Sequence, residues 1–538
     1  MRLRCDSRYI ILPVSHQAEK RSLRFLEMGK LIFELKVGLD FANPEVEFYY
    51  NIERFAGKEI ELAAEPEIAM EIRKSNAKYP SEEKYNGKHR PGFHFSSQRG
   101  WLNDPNGLVY YRGVYHMFYQ YNPVGCIWGN MHWGHAVSSD LVHWEEKEPA
   151  LYPDETGTIF SGSAIADYRN VTGLKQNEND VILLYYTAAG NSDSELSRSR
   201  RFAQCLAYSS DGGKTFEKYS KNPVVPFIEH ENRDPKVIYD QERDIYVMVL
   251  YLAGNRYLLL TSSNLLEWEQ MHEIILPEDA ECPDFYPLAL DDNVNNIKWV
   301  FSGASDRYLI GSFDGRSLRP ETGTKKLQYS SDSYAAQTWS GISSADDRRI
   351  RIAWKRFDMP SMPFNMSMDF PCEMKLKTFD GEAFLCAYPV REIEGIRGTG
   401  FHACDVRVSP SEKFSRPLAG RLYDIIFSIP GNSEAGFSIG VFGMKLKGDL
   451  AGARLTCCGN SAPLESFGGS IELRLLVDVN GMEIFINKGK AFMSIGHIQD
   501  YDMNDLVFET FDREIVLEEI NVTELKSSLP DSACPESC

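Results

Sequence analysis

Apolar and polar positions alternate in short runs along most of the chain, and few stretches carry the longer period of a helix. Residues 1–65 alternate in Arg8-Tyr-Ile-Ile-Leu-Pro-Val14, in Leu31-Ile-Phe-Glu-Leu-Lys-Val37 and in Val46-Glu-Phe-Tyr-Tyr50, which predicts a small N-terminal β module. Residues 66–90 lose the alternation and become polar and turn-rich, as a linker laid over a surface would. The longest apolar stretch, Tyr246 to Ala253, is too short to span a bilayer and suits a buried strand.

Between 91 and 390 one pattern recurs: a strand end, small hydroxyl residues, an Asp or Asn, and an aromatic a few positions on. The copies are Ala136-Val-Ser-Ser-Asp-Leu-Val-His-Trp144, Ala207-Tyr-Ser-Ser-Asp-Gly-Gly-Lys-Thr-Phe216, Leu260-Thr-Ser-Ser-Asn-Leu-Leu-Glu-Trp268 and a weaker Gly311-Ser-Phe-Asp-Gly-Arg-Ser-Leu318. Their anchors, Asp140, Asp211, Asn264 and Asp314, lie 71, 53 and 50 residues apart. Any one copy is a hairpin turn. Four in order suit propeller blades, sheets that bury both faces only by packing round an axis, and the length implies a fifth blade. After residue 400 short alternating strands predict a β-sandwich over 400–538, with Asn480-Gly481 signalling a type I′ hairpin. The expected fold is therefore all-β: a five-bladed β-propeller over 91–390 followed by a C-terminal β-sandwich.

Composition narrows the partners. A formal charge of −19 disfavours phosphate backbones and anionic membranes, so neither nucleic acid nor membrane is expected. A neutral substrate is compatible with it. Met1 to Lys20 shows no apolar leader, and 11 scattered cysteines form no paired framework, so a cytoplasmic location is expected. The N-terminal module reads as a packing brace rather than a binding module or a surface for homo-oligomers, because nothing in it groups aromatics and acids as a sugar site would.

Chemistry is expected on rigid loops at one end of the propeller. Three acids qualify. Asp104 stands in Gly100-Trp-Leu-Asn-Asp-Pro-Asn-Gly107, where Pro105 biases it to an extended backbone. Asp234 stands in Asn232-Arg-Asp-Pro-Lys236, again before a proline and beside Arg233, which either lowers its pKa or neutralises a surface loop. Glu281 stands in Ala280-Glu-Cys-Pro-Asp-Phe-Tyr286; its plainer reading is a solvated acid near a strand end. Glycoside hydrolysis needs one charged and one protonated carboxyl, and a third acid suits an oxocarbenium-like transition state. Nearby, Tyr119-Gln-Tyr-Asn-Pro123 offers an amide, while Trp128 and Trp133 are either packed aromatics or sugar platforms. His132 and His135 lack an acid or cysteine at metal-ligand spacing, so they read as packing residues; neither a metal nor a cofactor is expected.

Trp101-Leu-Asn-Asp-Pro-Asn-Gly107, Phe160-Ser-Gly-Ser163, Arg233-Asp-Pro235 and Glu281-Cys-Pro283 together resemble glycoside hydrolase family 32, the invertases, inulinases and levanases. The resemblance implies a funnel-shaped site in a five-bladed propeller, with Asp104 as nucleophile, Asp234 as transition-state stabiliser and Glu281 as acid/base. It also implies that Asn103, Gln120, Trp128, Ser161 and Arg233 contact a terminal fructosyl unit, and that Phe160 and Trp354 wall it. Cys372 departs from the pattern, standing where many relatives place an arginine. The implied reaction is a retaining double displacement, which needs the two reacting carboxyls about 5–5.5 Å apart. The substrate expected is the terminal β-linked fructose of sucrose and short inulin- or levan-type fructans. A fructosyltransferase would use the same three acids, and a non-catalytic carbohydrate-binding propeller would be expected to lack at least one of them.

Overall fold

The computed structural model describes residues 1–79, 85, 87–342 and 346–529. Five successive four-strand meanders occupy the middle of the chain. Each starts with its innermost strand: Gly100–Tyr111, Thr158–Asp167, Arg233–Asp240, Asp284–Leu290 and Ser333–Thr338. These five strands touch one another in a closed ring, 100–111 against 158–167 and so round to 333–338, which returns to 100–111. The result is a five-bladed propeller. Closure uses backbone: Ser340 N donates to Leu108 O at 3.0 Å, Tyr110 N donates to Ser340 O at 2.8 Å, and Phe364–Asn365 pairs in parallel with Gly100 and Trp101.

The four repeated Asp/Asn positions sit between the third and fourth strands of blades one to four. In each, the side chain caps its own turn: Asp140 accepts from the backbone of Val142 and His143, Asp211 from Lys214 and Thr215, Asn264 from Leu266 and Glu267, and Asp314 from Arg316 and Ser317. These are Asx-type turns, built because a short acceptor two to four residues back substitutes for a strand partner. Blade five turns instead through Asp380 and Gly381, both at positive φ (48° and 82°), so it repeats no such motif. Tyr246–Ala253 lies in the buried second strand of blade three, Ile245–Ala253.

Two six-stranded sheets follow and pack face to face over a core that includes Phe427, Phe437, Leu475, Ile484 and Phe508. The hairpin expected at Asn480-Gly481 is present but shifted by one residue. Asp478 pairs with Gly481, so Val479 and Asn480 are the loop and Gly481 begins the next strand at φ 141°. A type I′ turn centred on 480–481 would shift the register, so that Glu483 rather than Gly481 would stand opposite Asp478. That residue is committed elsewhere: its carboxylate accepts the backbone N–H groups of Gly92, Phe93 and His94 at 2.6, 3.1 and 3.1 Å. At Gly481 a side chain would strike Ile495 O.

His94 locks the propeller to the sandwich. Its ring nitrogens lie 2.7 Å from Asp478 and 3.2 Å from Glu483, and Glu483 also accepts from Phe370 N at 2.8 Å. Burial lowers the imidazole pKa, but the two acids outweigh it and hold it up at about 9, with both acids pushed below their usual range.

The N-terminal module is two small sheets around Leu23, Phe25, Phe33, Phe48 and Tyr50. Within the segment read as a linker, Arg73–Ser75 pairs with Tyr9–Val14; residues 80–84 and 86 of that segment, and 530–538 of the sandwich segment, lie outside the described residues. The module's core continues into Val124 and Cys126 of blade one. Asn130 fastens it further, accepting from Lys36 N at 2.7 Å and donating to Lys36 O at 2.8 Å, and Tyr50 OH lies 3.0 Å from His132 Nε2. His135 stacks on Phe118 and His116, with ring centroids at 4.4 and 5.3 Å, so both histidines of the pair pack in the interior.

Candidate active site

Irregular backbone at the start of the inner strands aims the three acids inward. The first strand of blade one shifts register between Leu102 and Pro105, blade two between Phe160 and Gly162, and blade three between Arg233 and Lys236. Such bulges leave a residue unpaired and re-aim its side chain. They coincide with Asn103-Asp104, Ser161 and Asp234. Blade four uses positive φ instead, at Glu281 (58°) and Cys282 (36°), immediately before its inner strand. Asp234 is also left-handed, at φ 62°, so Pro235 does not hold it extended. The bulge overrides that preference, and the Asp234 N–H donates to buried Thr187 Oγ1 at 3.0 Å. Strain of about 1–3 kcal/mol at each such residue persists only where its surroundings enforce it.

The three carboxyl groups meet around Cys282. Its thiol sulfur lies 3.6 Å from Asp104 Oδ2 and 3.6 Å from Asp234 Oδ2, and its N–H donates to Asp234 Oδ2 at 3.0 Å. Asp104 also accepts from Ser161 Oγ at 2.7 Å and Asn103 Nδ2 at 3.0 Å, while the Trp101 indole fixes Asn103 from behind at 2.9 Å. Glu281 accepts from Arg233 Nη2 and from Tyr334 OH, each at 2.5 Å. Asp234 is 6% exposed, whereas the Glu281 side chain is 32% exposed, which sets one acid at the floor and the other towards solvent.

Burial dominates the acidities on the floor. Asp104 is raised above its ordinary range by desolvation, against the pull of Ser161 and Asn103. Asp234 is raised to about 7, again by desolvation, which the Arg233 charge opposes and the other two carboxylates reinforce. The adjacent arginine does lower Asp234, but not enough to win. At Glu281 burial also raises the pKa, yet the hydrogen bonds from Tyr334 and Arg233 overcome it and the net shift is downward. The free site therefore sets the shifts of Asp104, upward, and Glu281, downward, in opposition to their expected roles. The cause is that Arg233 bonds Glu281, at 2.5 Å, and stands 3.8 Å from its sequence neighbour Asp234. The three acids titrate together rather than singly.

The remaining sequence candidates fall around these acids. Gln120 is buried opposite the Asn103-Asp104 bulge, with an amide nitrogen that has no protein partner. Trp128, 47% exposed, stands edge-on to Phe160 at 6.0 Å. Trp354 stands edge-on to Trp101 at 6.0 Å and to Tyr334 at 6.5 Å, with its own indole N–H unpartnered. Trp133 is fully buried and donates to Phe160 O, so it is core. Cys372 is buried beside Arg351 in blade five, away from the acids. Cys282, Tyr334 and Thr187 are contacts that sequence reasoning missed; only the Cys-Pro following Glu281 left a local trace. Among the described residues no cluster of histidines, cysteines and acids fits a metal ion.

The arrangement sets three carboxyl groups together, with the rings of Trp128, Phe160 and Trp354 among the surrounding candidates. The chain matches the "Glycosyl hydrolases family 32 N-terminal domain" over residues 94–389. It is 37% identical over 458 residues to a levanase from Bacillus subtilis, covering 76% of this chain and 66% of that protein. An extracellular exo-inulinase from Aspergillus awamori is 34% identical over 354 residues, 57% of this chain and 65% of its own. The chain thus spans just under two thirds of the length of these curated relatives. A crystal structure of an exo-inulinase from Aspergillus awamori superposes with a TM-score of 0.75 at 26% identity, covering 82% of this chain and 99% of that one.

Proposed function

The chain belongs to glycoside hydrolase family 32, and on that footing we propose that it is an exo-acting β-fructosidase that releases terminal fructose from sucrose and fructans with retention. The observation that carries this reading is the convergence of Asp104, Asp234 and Glu281, from three different blades, on the single residue Cys282 and its neighbour Arg233. Three distant acids are not brought together by packing alone, because each loses hydration on entering the cleft.

In the proposed reaction an Asp104 carboxylate oxygen attacks the anomeric carbon as the glycosidic C–O bond breaks, and the Glu281 carboxyl gives its proton to the departing oxygen. Glu281 then takes a proton from water as the hydroxide joins the anomeric carbon, which frees Asp104. Asp234 and Ser161 sit where ring hydroxyls would be held. For this sequence Glu281 must be protonated while Asp104 is charged, against the direction in which each is shifted in the free site. Substrate offsets the shifts: sugar hydroxyls donating to Asp234 favour its charged form, and a leaving oxygen against Glu281 with Arg233 turned to the sugar favours its acid.

The test is product analysis. Purified protein is given sucrose, 1-kestose, inulin and levan, and the earliest product is read by NMR. Free β-fructofuranose as the first product is expected; its α-anomer would reject the covalent route, and transfer products that outweigh free fructose at high sucrose would favour the transferase.

A further inference from the structure

A groove of about 1100 Å³ opens between the N-terminal module and the rim of the catalytic cleft. The module supplies one wall, with His16, Gln17, Glu45, Val46, Glu47 and Tyr49. Ile127 and the loop from Asp358 to Pro363 supply the other. Its volume is that of a site for an extended ligand rather than of a packing defect.

Three connections join it to the acids. Ile127, 42% exposed, is followed directly by Trp128, 47% exposed, so the two form one apolar lip shared by groove and cleft. Asn365, on the groove floor, pairs through its backbone with Trp101, whose indole holds Asn103 beside Asp104. Asp358 lies just beyond Arg356, whose guanidinium stands 4.5 Å over the ring of Tyr334, the donor to Glu281. A chain whose terminal unit occupies the cleft must leave it over a rim, and this rim leads into the groove.

The wall suits a neutral polyol. Gln17 and Asp358, the latter held through one oxygen by Asn365, offer polar groups, Glu45 is taken up by His16 and Ser15, and Tyr49 is a half-buried ring edge-on to Tyr79 at 4.9 Å. Acids outnumber cations along it, which disfavours a phosphorylated or nucleic-acid ligand.

We propose that the N-terminal module forms the distal binding path for a β-fructan, holding units beyond those in the cleft, so that long chains are hydrolysed in preference to sucrose. This rests on the β-fructosidase reading above. A module outside the family match at 94–389 then sets chain-length preference for chemistry performed within it.

Val46→Trp, which fills the groove, and Tyr49→Ala with Gln17→Ala, which strip its wall, are compared with the unmodified protein on sucrose and on long-chain inulin and levan. The expected result is a loss of about five- to tenfold in kcat/KM on the polymers, carried mainly by KM, with sucrose changed by less than about twofold. The stripped variant keeps the test open should Val46→Trp fail to fold. Equal changes on sucrose and polymer, or no change on either, would overturn the proposal. So would a change in mass from dimer to monomer with polymer kinetics intact, which would make the groove an interface between copies. If the unmodified protein releases fructose from no substrate, the hydrolase reading fails and the groove is then judged by polymer binding to the Asp104→Ala variant in calorimetry, where loss on adding Val46→Trp supports it and no loss overturns it.

Discussion

Two clusters of buried carboxylates sit in this molecule under opposite electrostatic regimes. At the propeller–sandwich junction Asp478 and Glu483 flank a buried imidazolium and accept five backbone N–H groups, and both lie below their usual pKa. In the cleft Asp104 and Asp234 share one thiol and few other donors, and both are raised. The junction spends its charges on holding two domains in register. The cleft leaves its charges under-compensated, which lowers stability but keeps in Asp234 a carboxyl raised to about 7.

The largest effect should come from the cleft acids themselves. Asp104→Ala or Glu281→Ala is expected to lower kcat on sucrose by on the order of 10⁴-fold, with the thermal stability of Asp104→Ala unchanged or higher. A variant retaining near-normal turnover would remove the distinction between the clusters. Next in size, His94→Ala leaves two buried acids without their cation and should cost about 3–5 kcal/mol in urea unfolding. The sign with pH follows from its raised pKa: the His94 contribution is full below the ordinary 6.5 and is lost as pH rises through about 9, a slope the variant should not show.

Asp234→Asn should act in the other direction. A carboxyl raised from 3.8 to about 7 contributes stability below 3.8 that is lost as pH rises through 7. The variant should therefore melt about 2–4 °C higher than the unmodified protein at pH 8, show no gain at pH 4, and be nearly inactive. A lower melting temperature at pH 8 would place Asp234 with the satisfied cluster. The smallest effect is the finest discriminator. Tyr334→Phe removes a donor that favours charged Glu281, so the alkaline limb of kcat/KM should move up by roughly half a unit, a shift that loss of packing alone would not give.

Much of this was legible in the residues. The four Asx turns repeat because the same local problem, a tight connection between the third and fourth strands, has the same local answer. Blade five was inferred from length alone, since Asp380-Gly381 solves it with two residues at positive φ. Asp104, Asp234 and Glu281 could be picked out because each acid precedes a proline by one or two positions in a loop. What no window of sequence contains is the pairing of Arg233 with Glu281 across blades, and with it the downward shift of Glu281. Tyr334 and Thr187 escaped for the same reason: their partners are 53 and 47 residues away. The Val479-Asn480 turn was misplaced by one because Asp478's commitment to residues 92–94 is a long-range demand that outweighs local turn preference.

The parallel pairing of Phe364–Asn365 with Gly100 and Trp101 has a consequence during synthesis. The strand bearing Asp104 emerges early from the ribosome, but its neighbour on one side is translated only some 260 residues later. Until then the nascent first blade has an open edge, and a chain stalled short of residue 340 would hold all three acids with no pocket to put them in.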